Sequence, residues 1–176
     1  MLIGLISDTH IKENNEGKAI PQAVFEGFKD VELIIHAGDL LNLNVIKDLE
    51  KIAPVIAVQG NMDRKYGLDL PKSETVEVDN VTIGVNHGEV YPQGDSQQLH
   101  YIAQELEADI LVSGHTHQPH IENYEGILLL NPGSPTYPRL ADPTIMLLTI
   151  ENGESDIEVK KIGKSVCTAL NIEKKE

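Results

Sequence analysis

The chain has 176 residues, 40% of them hydrophobic and 24% charged, enough for one domain with its own core and too apolar for a disordered chain. Its 28 Asp+Glu against 14 Lys+Arg leave a net charge of −14, which excludes sequence-blind binding to long nucleic acid, because such binding needs basic surface. A single cysteine, Cys167, no tryptophan and 4% aromatics exclude an internal disulfide, a thiolate metal cage and a base-stacking platform.

Residues 2–7, Leu-Ile-Gly-Leu-Ile-Ser, are apolar on both faces and read as a central strand. The segment has no basic start and meets Asp8 early, so it is not expected to be a signal peptide. No apolar run approaches the roughly 20 residues that span a bilayer, and the expectation is a cytoplasmic protein with no membrane partner. Ala19, Ile20, Ala23, Val24 and Phe28 fall at helical spacing, with Pro21 suited to the first turn. Then follow a strand at 31–37, a helix at 43–52 capped by Asn42 or Asn44, and a strand at 54–59. Residues 63–74, with Gly67 and Pro71, read as loop. Strands at 75–78 and 81–86 flank Asp79-Asn80, a hairpin signal. Asp95 or Ser96 caps a helix whose buried stripe is Leu99, Ile102, Ala103 and Leu106, which leaves His100 exposed. A strand at 110–113 returns to the core. The last third reads as strands at 120–124, 127–130, 144–150 and 156–162, with Asn152-Gly153 turning the last pair. One domain over 1–162 is expected, followed by a mobile tail at 163–176.

Five of the apolar runs end in side chains suited to metals: Asp8-Thr9-His10, Gly38-Asp39, Gly60-Asn61, His87-Gly88 and Gly114-His115-Thr116-His117. In an open α/β sheet, ligands bind at the carboxyl ends of strands, so these residues should converge. Singly, Asp8 and Asp39 read as well as turn or cap residues, Asn61 as a left-handed turn residue and His87 as a half-buried histidine. Together, two Asp, one Asn and four His have no stability rationale, since buried polar groups cost energy unless paired or metal-bound. Oxygen and imidazole donors without thiolates suit Mn²⁺, Fe²⁺, Zn²⁺, Ni²⁺ or Co²⁺ better than Mg²⁺ or Ca²⁺. Seven ligands exceed one tetrahedral site and fit two ions about 3.5–4 Å apart that activate water for an in-line displacement. Two divalent ions outweigh Asp8, Asp39 and a hydroxide, so an anionic phosphate would be attracted locally despite the acidic chain.

Read with Gly60-Asn61-Met62-Asp63 and Asn86-His87-Gly88, these segments match, in order and over about residues 1–162, the five motifs of the calcineurin-like metallophosphoesterases. With Asn131-Pro132-Gly133-Ser134-Pro135 after the last motif, the chain most resembles the small, compact phosphodiesterase branch that includes the retromer scaffold subunit. The resemblance implies an α/β four-layer αββα sandwich of two mixed sheets flanked by helices. It also implies that Asp8, His10 and His117 hold one metal, Asn61, His87 and His115 the other, and that Asp39 bridges them. The implied activity is hydrolysis of a small phosphodiester by a metal-bridging hydroxide. The implied cofactors are two divalent transition metals, Mn²⁺ first, with Ni²⁺, Zn²⁺, Fe²⁺ and Co²⁺ as alternatives. The competing reading is a non-catalytic interaction scaffold on the same fold, and homo-oligomers are compatible with either.

One position departs from the pattern: many members carry histidine after the Gly-Asn pair, and here it is Met62. A thioether cannot transfer a proton, so diesters and aryl esters with good leaving groups should be preferred over alkyl monoesters. Arg64 and Arg139 are candidates to contact substrate phosphate, each reading equally as a solvated loop charge. His36 is a neighbour of the site or plain core, and His120 has no assigned partner.

Overall fold

The computed structural model describes residues 1–12 and 19–163; Cys167 and the tail expected beyond 163 lie outside the described residues. Its first strand, β1 (Leu2–Ile6), shows how the layers arise. Successive side chains point to opposite faces: Ile3 and Leu5 enter one core cluster, while Leu2 and Ile6 join another. The same alternation runs through β2 (Leu33–His36), with Leu33 and Ile35 on one side and Ile34 on the other. A sheet with two apolar faces must be covered on both.

The remaining elements are α1 (Gln22–Gly27), α2 (Asn44–Leu49), β3 (Val55–Ala57), α3 (Asn61–Lys65), β4 (Ser73–Val78), β5 (Val81–Asn86), α4 (Ser96–Glu105), β6 (Ile110–Val112), β7 (Pro119–Tyr124), β8 (Ile127–Pro132), β9 (Thr144–Glu151) and β10 (Glu154–Lys161). One sheet has the order β10-β9-β1-β2-β3 and the other β4-β5-β6-β8-β7. Both are mixed, with parallel β1–β2–β3 and β5–β6–β8 and antiparallel outer pairs. Ile3, Leu5, Ile35, Met146 and Leu148 of the first sheet meet Ile83, Val85, Ile110, Val112 and Leu130 of the second. Val24 and Phe28, in and just after α1, and Val45 and Leu49 of α2 cover the outer face of the first sheet. Leu99 and Ala103 of α4 cover Leu111 and Leu129 of the second. The architecture is therefore the expected αββα sandwich.

Three local expectations are corrected. Of residues 63–74, expected as loop, 63–65 belong to a helix and 73–74 to β4; the helix starts at Asn61, where Asp63 reaches back to accept the Gly60 amide at 2.8 Å, half of a capping box. His100 is buried, 4% exposed, not solvated. Tyr124, at the tip of the β7–β8 hairpin, covers it with ring centroids 5.4 Å apart. His120 does have a partner, Glu122 Oε2 at 3.0 Å. The two hairpin signals hold: Asp79, Asn80, Asn152 and Gly153 all have positive φ, as the tight twisted turn requires.

Candidate metal centre

Past the end of β1 the backbone does not diverge from β2. The amides of Asp8, His10 and Ile11 donate to the carbonyls of Gly38, Asp39 and Leu40 at 2.9, 3.0 and 3.0 Å, so two ligand-bearing segments run side by side. Asp8, His10, Asp39, His115 and His117 all have φ between 47° and 70°. That region costs a non-glycine residue on the order of 1–3 kcal/mol and persists only where surroundings enforce it. The enforcing contacts are visible. Ser134 Oγ donates to the Asp8 carbonyl at 2.8 Å and Thr136 Oγ1 to that of Thr9 at 2.6 Å. Asn131 Nδ2, near the end of β8, donates to the Gly114 carbonyl at 2.7 Å, so the end of β8 and the turn after it strap two motifs at once. Gly114 is there because a Cβ would lie 2.8 Å from Asp8 Oδ2; at Gly60 a Cβ would overlap the Asp39 carboxylate.

The side chains converge. Asp8 Oδ2 is occupied by Ser7 Oγ at 2.7 Å and the His115 amide at 3.0 Å. Its Oδ1 is left facing Nε2 of His117, His10 and His87 at 3.3, 3.8 and 4.0 Å. Asp39 Oδ1 accepts the Met62 amide at 2.7 Å, while Oδ2 stands 3.5 Å from Nε2 of both His10 and His87. Carbonyls only accept, so His87 Nδ1 must donate to Ala37 at 2.7 Å and His117 Nδ1 to Tyr137 at 2.5 Å. In both, that hydrogen bond orients the ring and turns Nε2 inward, with its lone pair available to a metal in the neutral form. Ligand atoms of Asp8, His10 and His117 lie within 4.8 Å of one another, as do those of Asp8, Asp39 and His87. His115 and Asn61 adjoin the second group: His115 Nδ1 is 3.1 Å from Asn61 Oδ1, and its ring centroid is 5.2 Å from that of His87.

These donors fit a cationic group. Asp8 Oδ1, His10 Nε2 and His87 Nε2 are buried without a hydrogen-bond partner, although such atoms are normally satisfied. Asp8 Oδ1 lies between the two imidazoles, 3.8 Å from His10 Nε2 and 4.0 Å from His87 Nε2. Above it opens a cavity of about 440 Å³, lined by His10, Asp39, Asn61, His115, His117 and Arg139 among others. Met62 lines it too. Arg64 does not: its guanidinium makes paired bonds to Glu89 at 2.9 and 2.6 Å.

Sequence reasoning gave no role to Asp63 or Gln93, which shape the centre, and left His36 as either a neighbour of the site or plain core. Asp63, fully buried, accepts the amides of Asp39, Leu41 and Gly60 at 2.8, 2.7 and 2.8 Å. Its signal was the acid three residues after Gly60. Gln93 Nε2 lies 3.0 Å from His115 Nε2, and no local pattern marks it. His36, buried, receives the Gly38 amide on Nδ1 at 3.2 Å and meets Thr9 Oγ1 with Nε2 at 3.1 Å, tying the two ligand segments together.

The charges are strongly perturbed. Burial opposes the charged form of His87, but the carboxylates of Asp39, 3.5 Å away, and Asp8 outweigh it and raise its pKa to about 9. Burial likewise opposes ionisation of both aspartates, but the imidazoles around them prevail: His10, His87 and His117 lower Asp8, and His87, with the Met62 amide and His10, brings Asp39 to about 2. Burial lowers His36 to about 3 and also lowers His115 and His117. A raised histidine contributes stability fully below its unfolded pKa of 6.5 and loses it as pH rises through the folded value; a lowered one loses its contribution as pH falls below 6.5. The metal-free chain should therefore be most stable near pH 6.5. Its melting temperature in EDTA should fall toward pH 9 through His87 and fall in acid through His36, His115 and His117. A melting temperature that kept climbing from pH 6.5 to 9 would contradict the His87 assignment.

Comparison with known proteins agrees with the geometry. The sequence profile of the calcineurin-like phosphoesterase superfamily domain matches residues 1–153. The probable metallophosphoesterase of Methanothermobacter thermautotrophicus is 54% identical over 171 residues, 97% of this chain and 98% of that protein. A phosphodiesterase of Methanocaldococcus jannaschii is 32% identical over 169 residues, 88% of this chain and 96% of that one. Among solved structures, Entamoeba histolytica Vps29 complexed with Zn²⁺ superposes with a TM-score of 0.74 at 29% identity, covering 93% of this chain and all of that one (100%).

Proposed function

This chain belongs to the calcineurin-like phosphoesterase superfamily, and from that premise we propose that it is a dinuclear metal-dependent phosphodiesterase. The observation that carries the proposal is the convergence of three buried, unpartnered ligand atoms from Asp8, His10 and His87 beneath an open cavity. We assign Asp8, His10 and His117 to one metal, Asn61, His87 and His115 to the other, and Asp39 between them. The equal 3.5 Å separations of Asp39 Oδ2 from His10 and His87 support that division. Bound divalent ions, Mn²⁺ first and Ni²⁺, Zn²⁺, Fe²⁺ or Co²⁺ as alternatives, would supply a nucleophilic hydroxide at neutral pH and Lewis-acid stabilisation of phosphoryl oxygens.

The chain's own groups do the rest. Ser7, Asp63 and the 131–137 turn hold the ligand segments in their left-handed conformations. Arg139, whose amide donates to the His117 carbonyl at 3.3 Å, lines the cavity and supplies the cation for a phosphate oxygen. Arg64, engaged with Glu89, is left out of that role. Among the described residues no helix is long and apolar enough to cross a membrane, and we place the reaction in the cytoplasm, on a small diester.

Met62 stands in the cavity and offers no proton to a leaving oxygen. Diesters and aryl esters should therefore be cleaved well and alkyl monoesters poorly. Met62→His should raise kcat/KM on an alkyl monoester about tenfold or more. Equal wild-type efficiency on a simple alkyl monoester and bis-p-nitrophenyl phosphate would refute the role given to this position. The reaction itself is tested by stripping the chain of metal, restoring Mn²⁺, Ni²⁺, Zn²⁺ or Mg²⁺, and assaying diester hydrolysis. The likeness to Vps29 supports one alternative, a protein-interaction scaffold, and no turnover with any metal would favour it.

A further inference from the structure

Three segments that build the metal cavity continue directly into a second concavity. His10, Asp39 and Met62 line the cavity; Lys12, Leu41 and Tyr66, a few residues further along each segment, line a groove of about 670 Å³. The segments that line the two concavities stay together along their length. The Ile11 amide donates to the Leu40 carbonyl at 3.0 Å, and the Tyr66 amide to Met62, one turn earlier in α3, at 3.2 Å.

The groove's lining combines exposed apolar faces with two cations. Tyr66 and Leu43 leave large apolar faces exposed, 42% and 48%. Lys12 Nζ stands 5.5 Å from the Tyr66 ring centroid, within cation–π range. Lys47, held toward Asn44 Oδ1 at 3.3 Å, is a second cation on the lining, against one acid, Asp69. In a chain of net charge −14, a locally cationic lining around an exposed aromatic face matches a ligand with a planar ring and a negative charge.

We infer that this groove is the leaving-group subsite of the proposed phosphodiesterase and takes a nucleotide arm, its base on Tyr66 and Leu43 and its own phosphate between Lys12 and Lys47. The inference rests on the phosphodiesterase reading. For the 5′-phosphorylated dinucleotide pApA, water attacks the internal phosphorus and the P–O3′ bond breaks. The 3′ oxygen takes a proton, and two molecules of AMP result. The 5′-terminal phosphate of the departing nucleotide is the group that the lysines hold.

The test compares pApA with ApA, which lacks that phosphate, on the full-length Mn²⁺-loaded chain. Wild type should prefer pApA by about tenfold in kcat/KM, and the Lys12→Gln/Lys47→Gln double variant should bring the ratio near one. Tyr66→Ala should lower kcat/KM for both dinucleotides. Equal wild-type rates on pApA and ApA, or a preference that survives the double variant, would overturn the inference. If wild type cleaves neither dinucleotide nor bis-p-nitrophenyl phosphate, the phosphodiesterase reading fails, and the groove is then judged by calorimetric titration with AMP. AMP binding weakened several-fold in the double variant supports the groove as a nucleotide site; unchanged or absent binding rejects it.

Discussion

Asp39→Asn should lower diester hydrolysis by about three orders of magnitude or more, the scale of several kcal/mol of lost transition-state stabilisation, while leaving the circular dichroism spectrum of the chain unchanged. The substitution keeps an oxygen for the Met62 amide, now 2.7 Å from Asp39 Oδ1, so the backbone around the site has little reason to move. What disappears is the charge on Oδ2, which faces His10 and His87 at 3.5 Å each. The same change is read without activity. A metal present at a thousand times its dissociation constant stabilises a folded chain by about 4 kcal/mol, so Mn²⁺ should raise the wild-type melting temperature by several degrees and leave that of the variant nearly unmoved. Wild-type turnover in the variant, or an equal Mn²⁺ shift in both chains, would remove Asp39 from the centre.

The largest loss of stability is expected from Asp63→Ala, a residue placed against no ligand atom. Its carboxylate is the acceptor for three backbone N–H groups, those of Asp39, Leu41 and Gly60, at a fully buried position. Each buried donor left without an acceptor costs about 1–3 kcal/mol, so urea denaturation in EDTA should show a loss of about 3–5 kcal/mol, allowing for partial relaxation. Asp63→Asn, which keeps one acceptor oxygen, should lose less. Because the orphaned amides include the one next to the Asp39 side chain, metal affinity should fall as well. A loss under about 1 kcal/mol in the alanine variant would show that water or a neighbour replaces the carboxylate.

The contrast between these two aspartates explains what was legible in the sequence. Asp39 announces itself: it follows an apolar strand and a glycine, where a polar residue has no packing role. Strands such as 2–7 and 144–150 were legible for the same reason, since an apolar run with turn residues at its ends leaves few alternatives. Asp63 sits in a stretch with Gly67 and Pro71 and mixed charge, and its purpose is set by amides of another segment more than twenty residues earlier. His100 misled because helical periodicity sees only one face, whereas Tyr124 arrives from a hairpin about twenty residues away in the chain. Ser134 lies in the 131–135 stretch that carries the resemblance and Thr136 just beyond it, and nothing local tells that their hydroxyls reach the carbonyls of Asp8 and Thr9. Ligand identity is a property of strand ends; the strain that holds the ligands is a property of long-range hydrogen bonds.

The position of β1 has a consequence for how the molecule comes into being. β1 lies between β2 and β9, so one of its edges has no neighbour until residues near 144–149 are present to pair with it. Such a long closure is slow to form and leaves an open strand edge while synthesis proceeds. The first ligand to leave the ribosome, Asp8, thus waits for some of the last residues of the domain, through Gly133, Ser134 and Thr136, before its geometry is set. Truncation before β9 should leave a chain that binds no metal in an ordered way, even though every one of the seven proposed ligands would still be present.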